Sequence, residues 1–74
     1  MNRDVIKELE ERLAEARQKH PDWQGGIDCG LSVLHLELAE LEHAIRFEGY
    51  ARAKDEALDV AAVAMRIAAG DWKR

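Results

Sequence analysis

Apolar positions along this 74-residue chain recur every three or four residues, and nowhere do they alternate long enough to suggest a strand. Val5, Ile6, Leu9, Leu13 and Ala16 share one face of a helix expected over residues 4–20. Asn2 or Asp4 is placed to cap it, and Pro21 ends it at or before His20. Leu34, Leu38, Leu41 and Ile45 form a clean apolar stripe on a second helix, over 31–48, interrupted at Gly49. A third helix is expected over 54–69, with Asp55 and Glu56 in its first turn and Gly70 as the residue that stops it. Between the first two lie residues 21–30, which hold three glycines and the only proline and read as a loop. No Gly-Lys-Ser/Thr follows, so the loop is not of the Walker phosphate-binding type. The pattern predicts one all-α domain spanning 1–74: an antiparallel helical hairpin preceded by an N-terminal helix.

The third helix departs from an ordinary amphipathic pattern. From Ala57 to Ala69, eleven of thirteen residues are apolar, and a helix apolar nearly all round is buried on most sides. A chain this short offers little to bury it against. The expectation is therefore self-association, a dimer or tetramer in which partner helices complete a multi-chain bundle. Composition agrees with a folded, water-soluble chain: 47 % of residues are hydrophobic and 35 % charged. That excludes typical disorder, and no apolar run is long enough to span a membrane. Cys29 is the single cysteine and cannot form an intrachain disulfide. Small domains without disulfides lean on a metal or a partner. A lone thiol without a secretory leader points to the cytoplasm.

Charge is distributed unevenly. The chain carries a net −4, and residues 28–48 alone hold five acids against one base. The one basic pair, Lys73-Arg74, is no phosphate-tracking patch, so duplex nucleic acid is excluded as a partner. Within the first helix, Glu8–Arg12 and Glu15–Lys19 are spaced for i,i+4 ion pairs.

Asp59 and Arg66 are the only charges in the apolar run. They stand seven apart on one face, and Glu56 joins the same stripe. On the preceding helix, Glu37 and Glu40 make a second i,i+3 acidic pair. Folding the hairpin antiparallel places Glu37 level with Asp59 and Glu40 level with Glu56, symmetric about residue 48. Four carboxylates converging in one cleft repel one another and raise their proton affinities unless a cation neutralises them. An all-oxygen set suits Mg²⁺, with Mn²⁺ as the alternative, and not zinc.

These two pairs resemble the motifs of the MazG-like, all-α nucleoside triphosphate pyrophosphohydrolases. That superfamily carries an EExxE on one helix and an ExxD on the next. Here the first reads Leu36-Glu37-Leu38-Ala39-Glu40 and the second Glu56-Ala57-Leu58-Asp59, within a likeness covering roughly residues 20–70. Leu36 stands where the family has its first glutamate. The resemblance implies that Glu37, Glu40, Glu56 and Asp59 bind Mg²⁺. It also implies dimers or dimer pairs, and hydrolysis of a nucleoside triphosphate to the monophosphate and pyrophosphate. Either Glu37 or Glu40 would also orient the attacking water, and no side-chain nucleophile is needed.

Other residues are assigned around this centre. Arg66 and Lys54 are candidates for substrate phosphate, and Trp23 for stacking a base. His43 follows Glu40 by three residues on the same face. Phe47 and Tyr50 are expected at an interface or in the core. The rival function is a small helical interaction or nucleotide-sensing module without catalysis, its acidic stripe meeting a basic partner.

Overall fold

A computed structural model describes residues 3–21 and 26–71. The described residues form three α-helices: α1 (Arg3–Lys19), α2 (Gly26–Phe47) and α3 (Tyr50–Ala69). The fold is all-α, as the spacing predicts. α3 is the shared element, packing against α2 on one side and α1 on another, while α1 and α2 do not pack against each other.

Two boundaries differ from expectation. α2 begins five residues before position 31 and absorbs the glycines at 26 and 30. A helical glycine costs about 1 kcal/mol relative to alanine. Gly30 is buried, so packing against the rest of the fold offsets that cost. Asp28 lies in the first turn of α2, where a negative charge suits the helix dipole. α3 begins four residues before position 54, leaving Asp55 and Glu56 beyond its first turn, which contains no acid. The connection needs only Glu48 and Gly49. Both of their amides donate to the Ala44 carbonyl, at 3.0 and 3.1 Å. Gly49 then turns the chain with φ 96° and ψ 178°, a region open essentially to glycine alone.

At its far end α3 stops as expected. Gly70 adopts a left-handed conformation at φ 80°. Its amide donates to the Ile67 carbonyl at 3.1 Å and the Asp71 amide donates to the Arg66 carbonyl at 3.0 Å, the paired bonds of a Schellman ending.

The apolar core is small: Ala44, Leu58, Ala62 and Val63 are its buried members. α1 contributes no buried residue. It is held to α3 largely by charge. The Lys54 ammonium reaches Glu8 at 3.1 Å, Arg12 reaches Asp59 and Asp55, and Arg17 reaches Asp71 at 2.9 Å. Glu8 and Arg12 thus turn outward to α3 instead of pairing along their own helix, because α3 presents the opposite charge to each.

The apolarity of α3 is accordingly used on two sides within the chain. Uncovered apolar surface remains at Met65 of α3, on α2, where Leu31, Leu36, Leu38 and Ile45 are exposed, and around the turn, where Phe47 and Tyr50 face solvent. Neither aromatic is in the core. Among the described residues, no helix is long and apolar enough to cross a membrane.

Candidate metal centre

The fold brings Glu37 of the first acidic pair together with both members of the second, Glu56 and Asp59. One carboxylate oxygen from each of Glu37, Glu56 and Asp59 lies within 4.8 Å of the other two. Glu37 comes from α2, and Glu56 and Asp59 from successive turns of α3. Glu40 adds to the rise in proton affinity of both Glu37 and Glu56. Its own residue is exposed, so it forms the open edge of the cluster.

The two glutamates inside the cluster are poorly satisfied. Glu56 is only 5 % exposed. Its Oε1 accepts from Arg52 at 2.8 Å, but its Oε2 is buried without a hydrogen-bond partner, as is Oε2 of Glu37. A buried acceptor left unsatisfied costs on the order of 1–3 kcal/mol, and more when charged. Burial, followed by the charges of Glu40, Asp59 and Glu56, pushes the Glu37 carboxyl up to about 7. Glu56 is also pushed up, mainly by burial and then by Glu40 and Asp59, against the opposing pull of Arg52. Two orphaned oxygens and an excess of negative charge are what a bound cation would correct. The donor set is the hard, all-oxygen type that Mg²⁺ prefers.

Asp59 is already engaged from outside. Arg12 donates to its Oδ1 at 2.5 Å and to the Asp55 carbonyl at 3.2 Å. Sequence spacing does not mark Arg12, because Glu8 stands at its i,i+4 position on the same helix. The signal lay elsewhere: a carboxylate in an apolar helix requires a counter-charge from a neighbouring element.

Glu37 and Asp59 open onto a cleft of about 450 Å³ between α1 and α2, floored by α3. Val33, Ala62 and Val63 give it an apolar lining, and Arg12, Lys19 and His20 a basic rim. Its size falls within the range of small-molecule sites.

The candidate substrate residues are placed differently. Arg66 does line the cleft, on the face it shares with Asp59. Its side chain is only 3 % exposed, and its donors reach Asp71 at 2.7 Å, the His20 carbonyl at 2.5 Å and the Ala16 carbonyl at 3.4 Å. It therefore secures the last turn of α1. Lys54 pairs with Glu8 and does not line the cleft. Trp23 lies outside the described residues. His43 turns away from the carboxylates, bonding Glu48 at 2.8 Å and tilting against the Phe47 ring. Cys29 is half-buried on the cleft wall. No family model, curated protein or solved structure matches this chain, so the reading of the site rests on its own geometry.

Proposed function

We propose that this chain binds a divalent cation, Mg²⁺ or Mn²⁺, at Glu37, Glu56 and Asp59, with Glu40 at the open edge, and hydrolyses a nucleoside triphosphate to the monophosphate and pyrophosphate. The observation that carries the reading is the pair of orphaned, buried Oε2 atoms of Glu37 and Glu56 within the cluster. When bound, the cation supplies neutralisation of phosphate oxygens and acidification of a coordinated water. The adjoining cleft is large enough for a nucleotide's sugar and base, with Val33, Ala62 and Val63 offering apolar contact and Arg12 and Lys19 meeting negative charge. Either Glu37, within the cluster, or Glu40, exposed at its edge, would orient the attacking water. Cleavage between the α and β phosphates follows the resemblance of the two acidic motifs.

The test is pyrophosphate release across the common NTPs and dNTPs with Mg²⁺, alongside cation binding by calorimetry. Glu40→Gln is expected to abolish turnover with the fold retained, because its side chain supports no described packing. Cation binding with no turnover on any nucleotide would leave the second reading, a sensing module. Absence of cation binding would leave the helical interaction module, which the ion pairs Arg12–Asp59 and Arg52–Glu56 favour, since they partly neutralise the cluster without an ion.

A further inference from the structure

We propose that α1 is a hinged arm, latched over the cleft by Arg12 and unlatched when a divalent cation occupies the acidic cluster. Residues 3–13 swing away from α3 while residues 14–19 stay fixed. The inference rests on the proposed cation site and adds a movement to it. α1 packs on α3 and not on α2, and the cleft of about 450 Å³ lies between α1 and α2. An outward swing of α1 therefore breaks no packing with α2 and widens the cleft.

The two halves of α1 are held differently. Toward its C-terminal end, the Arg66 guanidinium donates to the Ala16 carbonyl at 3.4 Å and to the His20 carbonyl at 2.5 Å. Its side chain is only 3 % exposed, and buried charged hydrogen bonds are costly to break. Toward the N-terminal end the ties are exposed ion pairs. Lys54 meets Glu8 at 3.1 Å, and both side chains are more than one-third exposed. Arg12 meets Asp59 at 2.5 Å and Asp55 at 3.5 Å, where the Asp55 side chain is half exposed. Val5, Leu9 and Leu13 are half-buried and Ile6 is exposed. Pairs so placed are weak, and segments with few buried apolar contacts open locally. Residues 3–13 are thus the half that opens first.

The weak half is also the half that touches the cluster. Arg12 serves Asp59 as an internal counter-ion, and Asp59 is one of three carboxylates whose oxygens lie within 4.8 Å of one another. In the same cluster Glu56 is 5 % exposed, and its Oε2 is left without a hydrogen-bond partner. A divalent cation meets Glu37, Glu56 and Asp59 together and carries twice the charge of the guanidinium. It takes the Asp59 carboxylate and repels Arg12 in one step. The latch then loses its shortest pair, and only exposed pairs to Asp55 and between Lys54 and Glu8 oppose the swing. Docking of the arm and binding of the cation are therefore antagonistic. The ion-free chain keeps the cleft narrow, and the cation opens it to a ligand.

The experiment is amide hydrogen exchange on the full chain, in a chelator and in saturating Mg²⁺. Ionic strength is matched, so that general screening is equal in both. Calorimetry on the same sample reads cation binding. Residues 7–13 are followed, because the first amides of a helix lack intrahelical partners. Ligands that bind only the folded state stabilise it, so faster exchange confined to one segment is no by-product of binding. Exchange over 7–13 is expected to quicken on the order of fivefold with the cation, the factor one exposed pair can carry, while α2 and α3 slow. Arg12→Gln is expected to exchange fast over 7–13 already in the chelator, with no further rise on adding Mg²⁺. Lys54→Gln is expected to loosen the same residues yet keep the response, because Arg12 still latches Asp59. Protection of α2 and α3 checks that each variant is folded. Cation binding without faster exchange over 7–13 overturns the arm and leaves the metal centre standing. An equal response in Arg12→Gln and wild type overturns the latch. Absence of cation binding removes the metal centre and the arm with it.

Discussion

Arg12 of α1 donates to Asp59 of α3 at 2.5 Å, and Asp59 is one of the three clustered carboxylates. A helix with no buried residue of its own therefore supplies the counter-charge for the site on the helix it leans against. Arg12 and a cation would compete for the Asp59 carboxylate. Both side chains remain about one-third exposed, so the pair's net worth is discounted for solvent screening. Arg12→Gln is expected to lower ion-free stability by about 1 kcal/mol. It is also expected to enlarge the stabilisation gained on adding Mg²⁺ or Mn²⁺, because the cation no longer displaces a guanidinium. Urea unfolding with and without the ion measures both effects. Equal ion-induced stabilisation in wild type and variant would show that the two do not compete.

The raised carboxyls give the ion-free protein an unusual pH dependence. Glu37 moves from an ordinary 4.5 up to about 7 through burial and its acidic neighbours, and Glu56 moves in the same direction. Between those two values the folded chain binds more protons than the unfolded chain, so stability falls as pH rises. Unfolding midpoints in a chelator are expected to be higher near pH 5 than near pH 8. Glu37→Gln should flatten the slope, and saturating cation should remove it by satisfying the charged form. Asp71, held low by Arg17 and then Arg66 against the effect of burial, acts with the opposite sign. Its contribution is present above the ordinary carboxylate range and is lost below it, outside this window. A midpoint flat from pH 5 to 8 would count against the burial of Glu37 among like charges.

The acidic centre was legible in the sequence because it depends on helical spacing and one short turn. Glu37, Glu40, Glu56 and Asp59 are related by i,i+3 pairs and by symmetry about residue 48, and a two-residue link leaves an antiparallel hairpin little freedom to shift. The surroundings were less legible. α1 docks through single charges scattered over two helices, and no spacing rule ties Arg12 to Asp59 or Lys54 to Glu8. Arg66 stood out correctly as a charge in an apolar helix, but its partners include backbone carbonyls of α1, which carry no sequence signal. The start of α2 was hidden by glycines that usually mark loops. The apolar run over 57–69 serves both α1 and α2, because α3 lies between the other two helices, an arrangement that spacing along one element does not reveal.

Arg66 anchors the C-terminal end of α1. It gathers Asp71, the His20 carbonyl and the Ala16 carbonyl around one buried guanidinium, while Arg17 meets Asp71 from outside. Arg66→Met preserves much of the apolar stem but abandons Asp71 and the carbonyls. Removal of one partner from a buried ionic cluster typically costs about 3–5 kcal/mol. A loss near the lower end is expected here, since Asp71 keeps Arg17. Hydrogen exchange should quicken first in the last turns of α1, with α2 and α3 retaining protection. Uniform acceleration across all three helices would mean that α1 does not detach as a separate unit.

Gly49 sets how the two acidic pairs meet, through its backbone alone. It holds φ 96° and ψ 178° between α2 and α3, and a Cβ built there meets nothing within 4 Å. The cost of Gly49→Ala is therefore conformational, not steric, and about 1–3 kcal/mol is expected. A d-alanine at the same position has its preferred region at positive φ and should recover most of that loss without the flexibility of glycine. Because the turn fixes which residues of α2 and α3 stand level, the l-alanine variant should also weaken cation binding, although no carboxylate is changed. Comparing unfolding free energy and Mn²⁺ affinity across glycine, l-alanine and d-alanine separates the two consequences. If stability falls while affinity holds, the packing of α2 on α3 rather than the turn maintains the carboxylate register.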